Sequence, residues 1–89
     1  MTYIQQKARE IAIESGATND EDGDLYLIYA VLSLTKGTDT TLKDVHDAWG
    51  AWKHLRGNHD HKSIIPFDEL PEDVQELDRP YMEAIHAFS

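Results

Sequence analysis

The sequence has no cysteine, which removes disulfide frameworks, thiolate metal sites and cysteine nucleophiles together. Basic residues are scarce: 8 lysines and arginines face 17 acids, a formal net charge of −9. A surface so acidic is repelled by phosphate backbones, so direct nucleic-acid binding is not expected. No apolar run exceeds the ten residues of LYLIYAVLSL, Leu25 to Leu34. Spanning a bilayer takes roughly 20, so no membrane role is expected either. The five glycines are scattered and build no phosphate-cradling loop. The N-terminus carries charge and apolar residues on a helical period instead of the basic stretch and apolar run of a secretion signal. Together these absences predict a cytoplasmic protein.

What is present suits one small all-helical domain over residues 1–89. Hydrophobic residues make up 40% and charged residues 28%, an ordinary globular mix. A chain of this length buries only about 60–65% of its unfolded surface, so few apolar residues can be spared from the core. The first helix is predicted from near Thr2, a candidate N-cap, to Ser15, with Gly16 as a left-handed stop. Ile4, Ala8, Ile11, Ala12 and Ser15 share one face. Acids and a glycine in ATNDEDGD, residues 17–24, then suit a turn and the positive end of a second helix. That helix, Leu25 to Lys36, is apolar nearly all round. It is expected either to sit at the centre or to lend one face to a second copy of the chain, making a homodimer. A strand is the alternative, since Tyr26, Ile28 and Val31 favour sheets, but nothing else in the sequence would pair with it.

Thr41, with Asp44 three residues on, opens a third helix that ends near Arg56 at Gly57. Leu42, Val45, Ala48, Trp49, Trp52 and Leu55 form its apolar stripe, with His46 and Lys53 flanking. Pro66 forces the preceding loop out of helical angles, so Ile64, Ile65 and Phe67 are expected to be buried as loop residues. All three prolines and six acids lie in PFDELPEDVQELDRPY, Pro66 to Tyr81. Here Pro71 and Pro80 fit first turns of helices and Asp78 fits a cap. Val74 and Leu77 are expected to face inward from a brief helix, and Tyr81, Ala84, Ile85 and Phe88 from a last one. The expected architecture is a compact bundle of four to five short helices with one extended loop packed on it. Residues 1–37 form an N-terminal helix pair.

VHDAW at Val45 to Trp49, HKSIIPFDELP at His61 to Pro71, and Asp78–Arg79 together resemble the ryanodine-receptor repeat domain, over residues 40–88. The usual proline after the loop histidine is Lys62 here. The resemblance implies a helical, non-enzymatic module of the kind carried by small bacterial and bacteriophage proteins, some suggested to bind nucleotide-derived ligands. For a phage protein the compartment would be the host cytoplasm.

Catalytic and metal-binding patterns are weak. His59, Asp60 and His61 sit together, and His46 and His54 lie two turns apart on the third helix, but neither spacing matches a zinc motif. Asp20 to Asp24 superficially suggest a calcium loop. With Gly23 as its sixth position, Thr18 and Tyr29 fall where acids are required. Ser33 lies inside the most apolar helix, and no serine has a histidine and acid patterned around it. No catalytic residue, cofactor or metal is therefore expected.

Two binding modes stand. In one, Trp49 and Trp52 with Lys53, His46, His61 and Arg79 form a pocket for a small anionic ligand, one tryptophan stacking a base while cations hold phosphate. The plainer reading puts both tryptophans in the core and pairs Arg79 with Glu76 or Glu83. In the other mode, Glu69, Glu72, Asp73 and Glu76 meet a host protein, at the extreme mimicking nucleic-acid charge to inhibit it. A structural phage role is the third option.

Overall fold

The computed structural model describes residues 2–16, 23–57 and 60–89. The acidic turn at Asp20, Glu21 and Asp22, the first position of the rejected calcium loop, and His59 of the histidine pair lie outside them. The helices are α1 (Tyr3–Glu14), α2 (Gly23–Thr35), α3 (Leu42–Leu55), the single turn α4 (Glu72–Gln75) and α5 (Arg79–Ala87). Three 3-10 turns punctuate them at Gly37–Asp39, Phe67–Glu69 and Glu76–Asp78. No strand occurs among the described residues. No helix there is long and apolar enough to cross a membrane.

Local chemistry sets the ends. The Thr2 hydroxyl accepts from the Gln5 main chain at 3.1 Å, and the Gln5 side chain answers by accepting from Thr2 N–H at 2.8 Å. Thr41 and Asp44 exchange the same reciprocal bonds at the start of α3, at 3.2 and 2.9 Å. Each box satisfies two of the N–H groups that a helix start leaves orphaned. Gly16 and Gly57 end their helices at φ of 91° and 84°, the left-handed conformation that a side chain resists. Pro80 enters the first turn of α5 as expected. Asp78 occupies the cap position there, but its side chain makes no capping bond.

α2 packs against α1, α3 and α5. Its side chains Leu25, Tyr26, Tyr29 and Ala30 join Ala8 and Ile11 of α1, Val45 and Trp52 of α3, and Ala84 and Ile85 of α5 in one buried cluster. Tyr26 and Tyr29 of the cluster and the partly buried Tyr81 packed against it form an aromatic knot, with ring centroids 5.7–6.4 Å apart, a spacing favourable for tilted and edge-on contacts. The helix is not covered all round, since Leu27, Val31 and Leu34 remain exposed. Ser33, out of place by its polarity, is buried because the chain end meets it. Its hydroxyl donates to the Phe88 carbonyl at 3.1 Å and shares a 3.0 Å bond with Ser89. Lys7 donates to the same carbonyl at 2.6 Å.

The rear of the chain departs from the expected burial. Ile64 and Phe67 are only half-buried and Ile65 is 38% exposed. Leu70 is the buried residue of the segment. The loop holds its place through polar bonds as well, so it does not have to sink its apolar side chains. Leu77 and Leu55 project outward, 68% and 78% exposed. For Leu77 the reason is the 3-10 turn at Glu76–Asp78, whose tighter winding breaks the 3.6-residue period on which an inward Leu77 was predicted. His46, read as a flanking residue, is instead 5% exposed.

Candidate functional site

α3 organises the site. Its tryptophans take different roles. Trp52 is 7% exposed, among the core residues, while Trp49 is half-buried against them. His46 stacks on Trp49 at 5.8 Å between centroids with planes 26° apart, and His61 meets it edge-on at 5.2 Å. His46 Nε2 donates to the Ile65 carbonyl at 2.7 Å. His61 Nδ1 accepts from Ser63 N–H at 3.1 Å. His46 thus ties the loop to α3 through a main-chain bond, and His61, itself on the loop, does so through its ring contact with Trp49. Gln75 completes the tether by donating to the carbonyls of Phe67 and Leu70 at 3.0 and 3.2 Å.

A half-enclosed pocket of about 210 Å³ opens beside this wall, lined by Leu25 and Tyr29 of α2, Trp49, Trp52 and Lys53 of α3, and Asp78 and Tyr81 at the start of α5. Lys53 Nζ stands 5.4 Å from the Trp52 ring centroid and 5.9 Å from that of Trp49. The Arg56 guanidinium lies 5.1 Å from the Trp52 ring and pairs with Asp24 at 3.1 Å. Cations over indole faces are held by the ring quadrupole. Within this wall the Trp52 Nε1–H is buried and has no hydrogen-bond partner. An indole N–H is a donor only, and burying it unpaired is unfavourable.

Asp78 supplies the opposite charge. Burial pushes its carboxyl above the usual aspartate range, with the nearby His46 acting in the other direction. It therefore binds a proton more readily than an exposed aspartate does.

The pocket brings together Trp49, Trp52 and Lys53 of the residues singled out from sequence. His46 and His61 brace Trp49 without lining the pocket. Arg79 lies elsewhere: its guanidinium is exposed and grips Glu76, with Nη2 to Oε1 at 3.0 Å. That bond holds the Glu76 carboxyl below its ordinary range. Glu69, Glu72 and Asp73 are exposed on the adjoining turns. Sequence reasoning missed Asp78, Tyr29 and Tyr81 as pocket residues. Asp78 was read as a helix cap, and nothing in its spacing from Trp52 signalled that the two would meet.

A second hollow, about 390 Å³, is an open furrow between α3 and the loop, lined by His46, Asp47, Gly50, Ala51, His54, Ile64, Ile65 and Pro66. None of its lining residues carries a buried side-chain nitrogen or oxygen without a partner. No group of three or more potential metal ligands occurs among the described residues.

No curated protein and no solved structure matches the chain. The match found, a family model covering residues 2–89, corrects the likeness to the ryanodine-receptor repeat. Its short motifs at His61 to Pro71 and at Asp78–Arg79 coincide with the loop tether, two 3-10 turns and helix starts, grammar available to any small helical bundle. The matching model also takes in α1 and α2, which that likeness left out. The bacterial or phage origin inferred from it has no other support. Over 2–89 the chain belongs to the DUF7701 family, described as a domain of unknown function.

Proposed function

We propose that the chain is a non-enzymatic binding module whose pocket between α2, α3 and the start of α5 takes a small anionic ligand. The observation that carries this reading is the pocket wall that sets Lys53 beside Trp49 and Trp52, with a partnerless Trp52 Nε1–H buried in it. A buried donor without an acceptor costs about 1–3 kcal/mol, and because this N–H is closed off from solvent, a ligand oxygen relieves that cost only once the wall shifts to admit it. Lys53 adds a charge-assisted bond, roughly twice as strong as a neutral one. His46 and His61 are taken up in tethering the loop, and no nucleophile is set beside a base in the pocket lining, so binding without turnover is the reading favoured.

Titration with acetate, benzoate, inorganic phosphate and adenosine monophosphate, followed by tryptophan fluorescence and calorimetry, tests it. A saturable response to at least one of these anions is expected, weakened tenfold or more by Lys53→Ala and by Trp52→Phe. Absence of any saturable response would overturn the reading.

A protein partner for the acidic edge is the second reading, favoured by the exposure of Glu69, Glu72 and Asp73 on adjoining turns. Glu76 adds less, because Arg79 already matches its charge. A partner complex that persists when Glu69, Glu72 and Asp73 are changed to glutamine would refute it.

A further inference from the structure

We propose that the outward face of α2 is the seam of a weak homodimer, in which two copies of the chain lay their α2 helices antiparallel about a two-fold axis beside Val31. The inference stands apart from the anion-binding reading. Leu25 and Tyr29, the α2 residues of the pocket, lie on the other side of the helix, so the seam leaves the pocket open.

α2 turns Leu25, Tyr26, Tyr29, Ala30 and Ser33 inward, and the arc left over carries Leu27, Val31 and Leu34, which are 36–49% exposed. At about 100° per residue these three fall within about 60° of one another, a stripe roughly two turns long. A domain this small has few apolar residues to leave in water. Three in line on the helix that packs against α1, α3 and α5 make a patch instead of scattered single side chains.

Charge says what covers it. The chain carries a formal net charge of −9, so two copies repel wherever their charged surfaces meet. From Leu25 to Thr35 the sequence has no charged residue, whereas α1, α3, α4 and α5 each carry at least two. Like-charged copies can touch along this stripe without setting acids against acids. The stripe is also self-complementary. Read in either direction it is Leu, Val, Leu, so a copy running the other way brings Leu34 over Leu27 and its own Val31 beside the axis. The ends agree with that order. The acid nearest the start of the stripe is Asp24 and the cation nearest its end is Lys36, so antiparallel helices set opposite charges and opposite dipole ends alongside each other. A parallel pair aligns acid with acid. Arg56 and Asp44 already hold Asp24 and Lys36 within the chain, at 3.1 and 2.8 Å, so the ends orient the contact more than they strengthen it.

Size sets the strength. A standard interface buries about 800 Å² on each partner. Three partly exposed side chains on a helix of 13 residues supply less, so the dimer is reversible and half-formed at a chain concentration on the order of 100 µM.

Sedimentation velocity on the full chain from roughly 1 µM to 1 mM, at low salt and at about 0.5 M sodium chloride, tests it. A monomer–dimer equilibrium is expected, at least threefold tighter at the higher salt, because screening removes repulsion between acidic copies and leaves the apolar seam intact. Val31→Glu should abolish the dimer while circular dichroism shows the helical fold retained. Leu34→Gln, a milder change on the same stripe, should weaken the dimer at least fivefold and keeps the test decisive if the first variant unfolds. Leu27→Glu combined with Leu34→Lys sets opposite charges across an antiparallel seam and should dimerise more tightly than Leu27→Glu alone. A chain that stays monomeric throughout would overturn the proposal, and binding of that monomer to phosphatidylcholine vesicles would assign the stripe to lipid instead. A dimer that survives both Val31→Glu and Leu34→Gln, or that salt weakens, would overturn it equally. A double variant no tighter than Leu27→Glu would overturn the antiparallel order.

Discussion

Between Tyr3 and Thr35 the chain is held by apolar side chains, with Ile11, Tyr29 and Ala30 almost wholly withdrawn from water. Between Asp60 and Glu83 the one buried residue is Leu70. There the chain is fixed by His46, His61 and Gln75 bonding to main-chain groups. The front half is thus specified by shape and volume, which are non-directional, and the rear by directional bonds that put the start of α5 in one place. The pocket lies where the two meet, which is why its wall mixes core aromatics with Lys53 and Asp78.

The largest expected effect tests the front half. Ile11→Ala leaves a void at a fully buried position and should cost about 3 kcal/mol, read as a lower denaturant midpoint for the whole domain. His46→Ala removes the donor to the Ile65 carbonyl and the ring stacked on Trp49. It should cost about 1–3 kcal/mol, with hydrogen-exchange protection lost first at 60–70 while α1 and α2 stay protected. Equal loss everywhere would contradict the division between the halves.

Two aspartates should respond to pH with opposite signs. For Asp44, desolvation acts upward but is outweighed by bonds from Lys36 and from the Thr41 main chain and hydroxyl, so its carboxyl is held below the usual range. Its contribution is therefore present above the ordinary aspartate value of about 3.9 and is lost as pH falls through the lower folded value. Thr41→Ala should cost about 1 kcal/mol near neutrality, and less below pH 4. Asp78 is raised, so its ionised form weighs against the fold above its folded value and not at all below about 3.9. Asp78→Asn should raise the melting temperature at pH 7, with the gain shrinking on acidification. At the small end, Leu77→Ser should change stability by no more than about 0.5 kcal/mol, since the side chain is exposed.

The helices were legible because each carries its own signal. Thr41 and Asp44 declare a start, Gly16 and Gly57 a stop, and the inward face of α5 follows a helical period. Burial in the rear was less legible, because periodicity cannot foresee a 3-10 turn at Leu77 or a carbonyl awaiting His46. Ser33 could not be explained from its neighbours in sequence, since its partners are Phe88 and Ser89. Trp49, Trp52 and Lys53 were legible as a group through their spacing on one helix. Asp78, Tyr29 and Tyr81 were not, because they reach the pocket by tertiary contact alone.

The most direct measurement is of the Trp52 indole N–H itself, by nitrogen-edited NMR on the full chain titrated with benzoate at pH 5.5. The expected result is a saturable downfield shift and slowed solvent exchange for the Trp52 indole proton, with a smaller change at Trp49. An indole resonance that stays put while benzoate saturates, or that already carries the signature of a strong hydrogen bond before any ligand is added, would contradict a pocket built around an unsatisfied donor.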